Sequence, residues 1–123
     1  MRVRCVKLLD EQTGEQIEDS SWLSINSEYL VLGIYRRDEM QLKFHLIGDD
    51  GKTPAYHDAN QFEMLTNTIP STWQAEFLLD SHFKMGPQAW SKSGFWEAYF
   101  DGAPTAVQIV VSETQRMLEE EDN

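Results

Sequence analysis

Cysteine is almost absent. Cys5 is the only one in 123 residues, so no internal disulfide can form and nothing calls for an oxidising compartment. Long apolar runs are missing too: no stretch approaches the roughly 20 residues a membrane-crossing helix needs, and the apolar run within Met1–Asp10 is too short and too interrupted for a signal peptide. Positive charge is scarce. Lys and Arg number 10 against 21 Asp and Glu, a formal net charge of -11 and a pI near 4.5. A field of that sign repels phosphate backbones and anionic membranes, so the chain is expected to bind neither nucleic acid nor membrane, and it speeds encounter with a basic partner. The excess also goes beyond the magnitude of roughly 2–8 that solubility alone asks for. Together these shortages predict a cytoplasmic protein whose partner is cationic.

Catalytic signatures are also wanting. No Gly-x-Ser-x-Gly, Walker loop or dinucleotide fingerprint occurs. His45, His57 and His82 are scattered without a second ligand at metal-binding spacing, so neither a metal nor a cofactor is expected. His57, Asp58 and Glu63 are the only local acid/base set, and His57 and Asp58, being neighbours in a strand, point to opposite faces. Twenty-one acids always contain some pair at workable spacing, which makes any such pair uninformative. Cys5 reads as a small buried hydrophobe, and Trp22, Trp73, Trp90 and Trp96 read as core before they read as a ligand platform. The sequence predicts a protein that is not an enzyme.

What the chain does have is strands. Its length suits one domain, 1–123, and at 41% hydrophobic residues it can bury a core. Between Trp22 and Trp73 short β-branched and aromatic runs are cut by Gly, Asp and Asn, the pattern of antiparallel strands joined by tight turns. Arg2–Leu9 reads as a first strand, followed by a mobile acidic loop over Glu11–Ser21. Tyr29–Tyr35 is apolar on both faces and so predicts a central strand covered on both sides. After the turn Arg36–Glu39, Leu42, Phe44 and Leu46 alternate with Gln41, Lys43 and His45, which predicts one wet face. Asp50-Gly51 marks a hairpin turn, and Pro54 puts the next strand, 54–56, at an edge. Further strands are expected at 61–65, 74–79 and, past a turn at Asp80-Ser81, 82–85.

The last third turns helical. Trp90, Phe95, Trp96, Tyr99 and Phe100 crowd one stretch, and Trp96, Tyr99 and Phe100 share a face at i, i+3, i+4, so a short helix within Pro87–Phe100 is expected to dock through them. Pro104 stands where a first turn tolerates it, and Val107, Val110, Val111, Thr114, Met117 and Leu118 form an apolar stripe behind it. Glu119–Asp122 lies where the helix dipole disfavours negative charge and is expected to fray into solvent. The fold class that follows is α+β: a bent antiparallel sheet or SH3-like barrel over residues 1–85, with two C-terminal helices from 86–123 packed on it.

Several segments carry a resemblance. They are the run from Trp22 to Leu32, Asp49-Asp50-Gly51 with Pro54, Phe62-Glu63, Ile69-Pro70-Ser71-Thr72-Trp73, Gly86-Pro87-Gln88-Ala89-Trp90 and Gly94 to Gly102. Over most of its length the chain resembles small acidic bacterial proteins, several of them predicted immunity proteins of polymorphic toxin and contact-dependent growth inhibition systems. The resemblance implies a cognate inhibitor that binds the C-terminal toxin domain of a sister cell's effector, occludes its active site and has no chemistry of its own. Were that toxin a nuclease, its cleft would be basic to hold phosphate, and an acidic plug would suit it. The acids nominated for binding are Glu11, Glu15, Glu18 and Asp19 in the first loop, Asp38 and Glu39 in the second, and Asp49 and Asp50 in the third. A second expectation is a nucleic-acid mimic or regulatory adaptor, whose acids imitate phosphates against a basic protein.

Overall fold

Val3 and Cys5, two residues apart, are fully buried in the first strand while Arg2 and Arg4, which alternate with them, stay near the surface, the period-2 signature of a sheet with one face on the core. In the computed structural model, which describes residues 1–78 and 81–121, this strand, β1, covers Arg2–Cys5 only. The expected single strand Arg2–Leu9 is broken at Val6-Lys7, because both backbone N–H groups donate to the Gln61 carbonyl oxygen instead of to a ladder (2.8 and 3.3 Å). Leu8–Leu9 then forms β2, which pairs with β3, Gln16–Ile17. The expected loop over Glu11–Ser21 is thus partly a small hairpin.

The long strand β4, Glu28–Arg37, is the axis of the sheet. Its first residues pair with β1, its middle with β5 (Lys43–Ile47) and its last four with β9 (His82–Pro87). Both faces of β4 are covered, as its apolar sequence predicts. Outward from this axis, β5 pairs with β6 (Pro54–Asp58), β1 with β7 (Phe62–Thr66) and β9 with β8 (Trp73–Leu78), all antiparallel. The bend brings the edge strands β6 and β7 to either side of a three-residue 3-10 turn, Ala59–Gln61, but among the described residues no ladder joins them. The SH3-like barrel is therefore corrected to an open, bent sheet. Of the remaining strand expectations, Leu79 and the turn residue Asp80 lie outside the described residues.

A break in register at Val31/Gly33 frees the Leu32 carbonyl from the ladder, and the Trp90 indole N–H donates to it at 2.9 Å. That bond anchors the helical third to the middle of β4. The expected helix over Pro87–Phe100 is a 3-10 turn, Gln88–Ser91, followed by α1, Phe95–Phe100. Of the expected face, Trp96 meets the His45 ring edge-on at 4.8 Å and the Tyr99 hydroxyl donates to the Lys52 carbonyl at 2.8 Å, while Phe100 is 58% exposed and Phe95 is the buried aromatic. Phe95 packs against α2, Pro104–Glu121, where Ala106 and Val110 leave room for it. Of the expected stripe of α2, Val110 and Met117 are buried and Thr114 and Leu118 half-buried, but Val107 and Val111 are exposed and Ala106 is buried in their place. Small alanines permit close helix contact, and that outweighs the greater apolarity of valine.

The acidic end of α2 does not fray as far as Glu121. Met117 is fully buried in the main core with Val3, Cys5, Val31 and Leu46, which holds the last turns down. Glu121 then accepts hydrogen bonds from the Met1 amino group and the Thr66 hydroxyl, and Glu120 accepts from the Ser71 N–H at 3.1 Å. Local partners thus overrule the helix dipole.

Candidate functional site

The nominated acids fall into three structural situations. Asp49 and Asp50 form their own turn. The two carboxylate oxygens of Asp49 accept from the Tyr29 and Ser24 hydroxyls, both at 2.6 Å, and Asp50 accepts from the Lys52 and Thr53 N–H groups at 2.9 Å. The hydrogen bonds from Thr53 and Lys52 hold the Asp50 carboxyl below the usual carboxylate range. Burial, and then the Asp49 carboxylate beside it, push the Tyr29 hydroxyl up to about 12. Asp49 is thus a structural acceptor. Asp49→Ala leaves the O–H of the buried Tyr29 without its acceptor, although that oxygen still accepts from the Ser24 N–H, and is expected to lower stability by about 2 kcal/mol. Urea unfolding checks this, and an unchanged midpoint would show the network to be idle.

Asp38 and Glu39 lie in the β4–β5 turn, beside Met40 and Ser81, and Asp38 adopts a positive φ of 50°. Because β4 and β5 run antiparallel, this turn and the Asp49-Asp50 turn stand at opposite ends of β5. The eight nominated acids are not gathered at one end of the sheet.

Glu11, Glu15, Glu18 and Asp19 lie in or beside the β2–β3 hairpin. Here the sequence carries a signal that residue-by-residue reading passes over. From Leu8 to Tyr35 there is no Lys or Arg, while Asp10, Glu11, Glu15, Glu18, Asp19 and Glu28 are all acidic. Of these, Glu28 meets Arg4 at 3.6 Å, and Asp10 folds back on the Gln12 and Thr13 N–H groups at 2.8 and 3.1 Å. Glu15, Glu18 and Asp19 are exposed and, among the described residues, form no ion pair. Trp22 and Ile25, 48% and 46% exposed, follow directly in the chain. The segment is tied to the β5–β6 turn by the Asp49 N–H, which donates to the Trp22 carbonyl at 2.8 Å.

The hairpin lies along the free edge of β6 and encloses a cleft of about 420 Å³ lined by residues of both. His57 faces it from β6, its side chain 7% exposed, with Nδ1 at 3.4 Å from Glu11 Oε1. Burial holds the His57 imidazole below the usual histidine range against the opposing pull of Glu11. Beneath the cleft Gln61, 2% exposed, accepts from the Leu9 N–H at 3.0 Å and donates to the Asp58 carbonyl at 3.2 Å. Gln61 was invisible in sequence, since nothing in a lone glutamine says that it is the tie between hairpin and sheet.

The acid/base set does not assemble. His57 faces Glu11, Asp58 binds Lys43 at 2.8 Å and Glu63 binds Arg4 at 3.1 Å, three separate partners in three places. Among the described residues no three His, Cys, Asp or Glu side chains converge as metal ligands, and no helix is long and apolar enough to cross a membrane. The chain matches no family model, no curated protein and no solved structure.

Proposed function

We propose that this protein is an immunity protein, a scaffold that seats a basic toxin domain on its hairpin face and occludes that domain's active cleft. The observation that carries the reading is the stretch from Leu8 to Tyr35, with six acids and no Lys or Arg, three of those acids exposed in or beside one hairpin and, among the described residues, without an ion pair. Unpaired carboxylates keep their long-range field, which is what steers a cationic partner and raises its on-rate. Trp22 and Ile25 supply what acids cannot. They are half-exposed apolar groups beside a charged rim, and large aromatics at the centre of a polar surround carry most of the energy in protein interfaces. A nuclease toxin, whose cleft must attract phosphate, is the partner whose charge fits best. In this reading Asp38 and Glu39, at the far end of β5, and Asp49 and Asp50, bound within their turn, stand outside the main contact.

The test is stopped-flow association with the effector toxin domain encoded immediately upstream. The triple variant Glu15→Gln, Glu18→Gln, Asp19→Asn is expected to slow association roughly tenfold at low salt and to lose most of the salt dependence seen in the wild type. Absence of association, or an on-rate indifferent to both salt and the triple variant, would overturn the reading.

A further inference from the structure

We infer that the cleft along the free edge of β6 receives an arginine side chain of the partner, bound by the Glu11 carboxylate and flanked by the Trp22 and Tyr56 rings. The inference deepens the reading of a basic partner and rests on it. At about 420 Å³ the cleft falls in the lower part of the range of roughly 300–1,000 Å³ for built binding pockets. Its apolar wall, Leu9, Ile17 and Ala55, suits a methylene stem. The two half-exposed rings at its margin, Trp22 at 48% and Tyr56 at 42%, suit a cation that stacks.

The charge of Glu11 is the deciding feature. Among the described residues no Lys or Arg lines the cleft, and Lys43, the cation on the strand next to β6, is taken by Asp58 at 2.8 Å. Asp10 lines the cleft too, but its Oδ1 is held by the N–H groups of its own turn, whereas the Glu11 carboxylate reaches to His57. Among the described residues the side chain that pairs with Glu11 is His57, and an imidazole kept neutral by burial does not cancel it. The cleft therefore carries the carboxylates of Asp10 and Glu11 and two aromatic rings and, among the described residues, no lysine or arginine to offset them. A guanidinium answers all of this at once, because it is planar, stacks on aromatic faces and offers a fork of donors to a carboxylate, whereas an ammonium is a compact hydrated point charge.

The full chain titrated with N-acetyl-L-arginine N-methylamide at low salt, followed by the Trp22 indole and His57 imidazole resonances, tests this. The expected result is saturable shifts of both resonances with the capped arginine, no shift with the isosteric capped citrulline, and at least tenfold weaker binding in Glu11→Gln. Glu11 is exposed, so Glu11→Gln is expected to keep the wild-type urea midpoint. Equal shifts with citrulline, unchanged affinity in Glu11→Gln, or a capped lysine that binds as tightly as the arginine overturns the assignment. The titration uses no partner protein, so its failure is distinct from a failure of the toxin reading, which shows only as absent association with the toxin domain.

Discussion

Gly48→Ala is expected to unfold at markedly lower urea than the wild type, with a loss of about 3 kcal/mol, while Gly51→Ala three residues away loses only about 1 kcal/mol. A Cβ on Gly48 would stand 2.4 Å from the Trp22 carbonyl oxygen and 3.3 Å from its carbonyl carbon, both backbone atoms that no rotamer change can move. The strand end and the Trp22 segment are this close because the next residue, Asp49, donates its N–H to that same oxygen at 2.8 Å. Forcing them apart breaks this bond and drags on Leu23, which is 3% exposed in the core. Gly51 differs in kind. Its φ is +71° with nothing within 4 Å of an added Cβ, so alanine there meets backbone strain and no collision. Equal urea midpoints for the two variants would mean that the close approach at Gly48 is not what holds the Trp22 segment to the sheet. For the binding reading the consequence is direct: Gly48→Ala would displace Trp22, whereas Gly51→Ala would leave it in place.

Much of the frame was legible because its signals are local. The central place of β4 followed from apolar residues on both faces, the β5–β6 hairpin from Asp50-Gly51, the edge position of β6 from Pro54, and the start of α2 from Pro104. Errors came where a residue's fate is decided by a partner distant in sequence. His45 alternates with Phe44 and Leu46 as though it faced water, yet it is 4% exposed, stacked on Tyr56 at 4.4 Å and met edge-on by Trp96 at 4.8 Å. The cover comes from α1, some fifty residues on, and no pattern within β5 announces it. The same holds for Glu121, whose partners Met1 and Thr66 lie in the first strand region and in β7.

The acids show the difference most clearly. In sequence Asp49-Asp50 and Glu18-Asp19 look alike, two adjacent carboxylates in a polar turn. In the fold Asp49 satisfies two hydroxyls, one of them on a buried tyrosine, and Asp50 closes an Asx turn, whereas Glu18 and Asp19 are exposed beside Trp22 with no ion pair among the described residues. Charge count sets the field, but strand order decides which carboxylates remain free to project it. Strand order is the property that alternation alone leaves open, since it depends on which edges meet and not on how each strand is patterned.

Acid is expected to destabilise the protein well before its carboxylates titrate, and His45 is the main cause. Burial, with a smaller push from His57, lowers the His45 imidazole to about 4 from an ordinary 6.5. The unfolded chain therefore binds this proton more tightly than the folded one. Stability is full above pH 6.5 and is lost as pH falls from there towards 4, for a total of about 3 kcal/mol. His57, lowered in the same direction by burial, adds to the loss. Asp50 and Glu120, held below the usual range by hydrogen bonds from Thr53 and Ser71, contribute only lower still, as pH drops through the carboxylate range. Among the described residues no carboxylate forms an ion pair with His45: its ring is stacked on Tyr56 and met edge-on by Trp96, and the charge that acts on it, on His57, also disfavours the proton. The expected sequence is that α1, which rests on His45 through Trp96, loosens first. Urea midpoints measured from pH 7.5 to 4.5 should fall steeply in the wild type and much less in His45→Phe, which keeps the stacked ring and removes the titration. An equal fall in both would transfer the acid sensitivity to the carboxylates, and with it the claim that a buried imidazole joins the helical third to the sheet would fail.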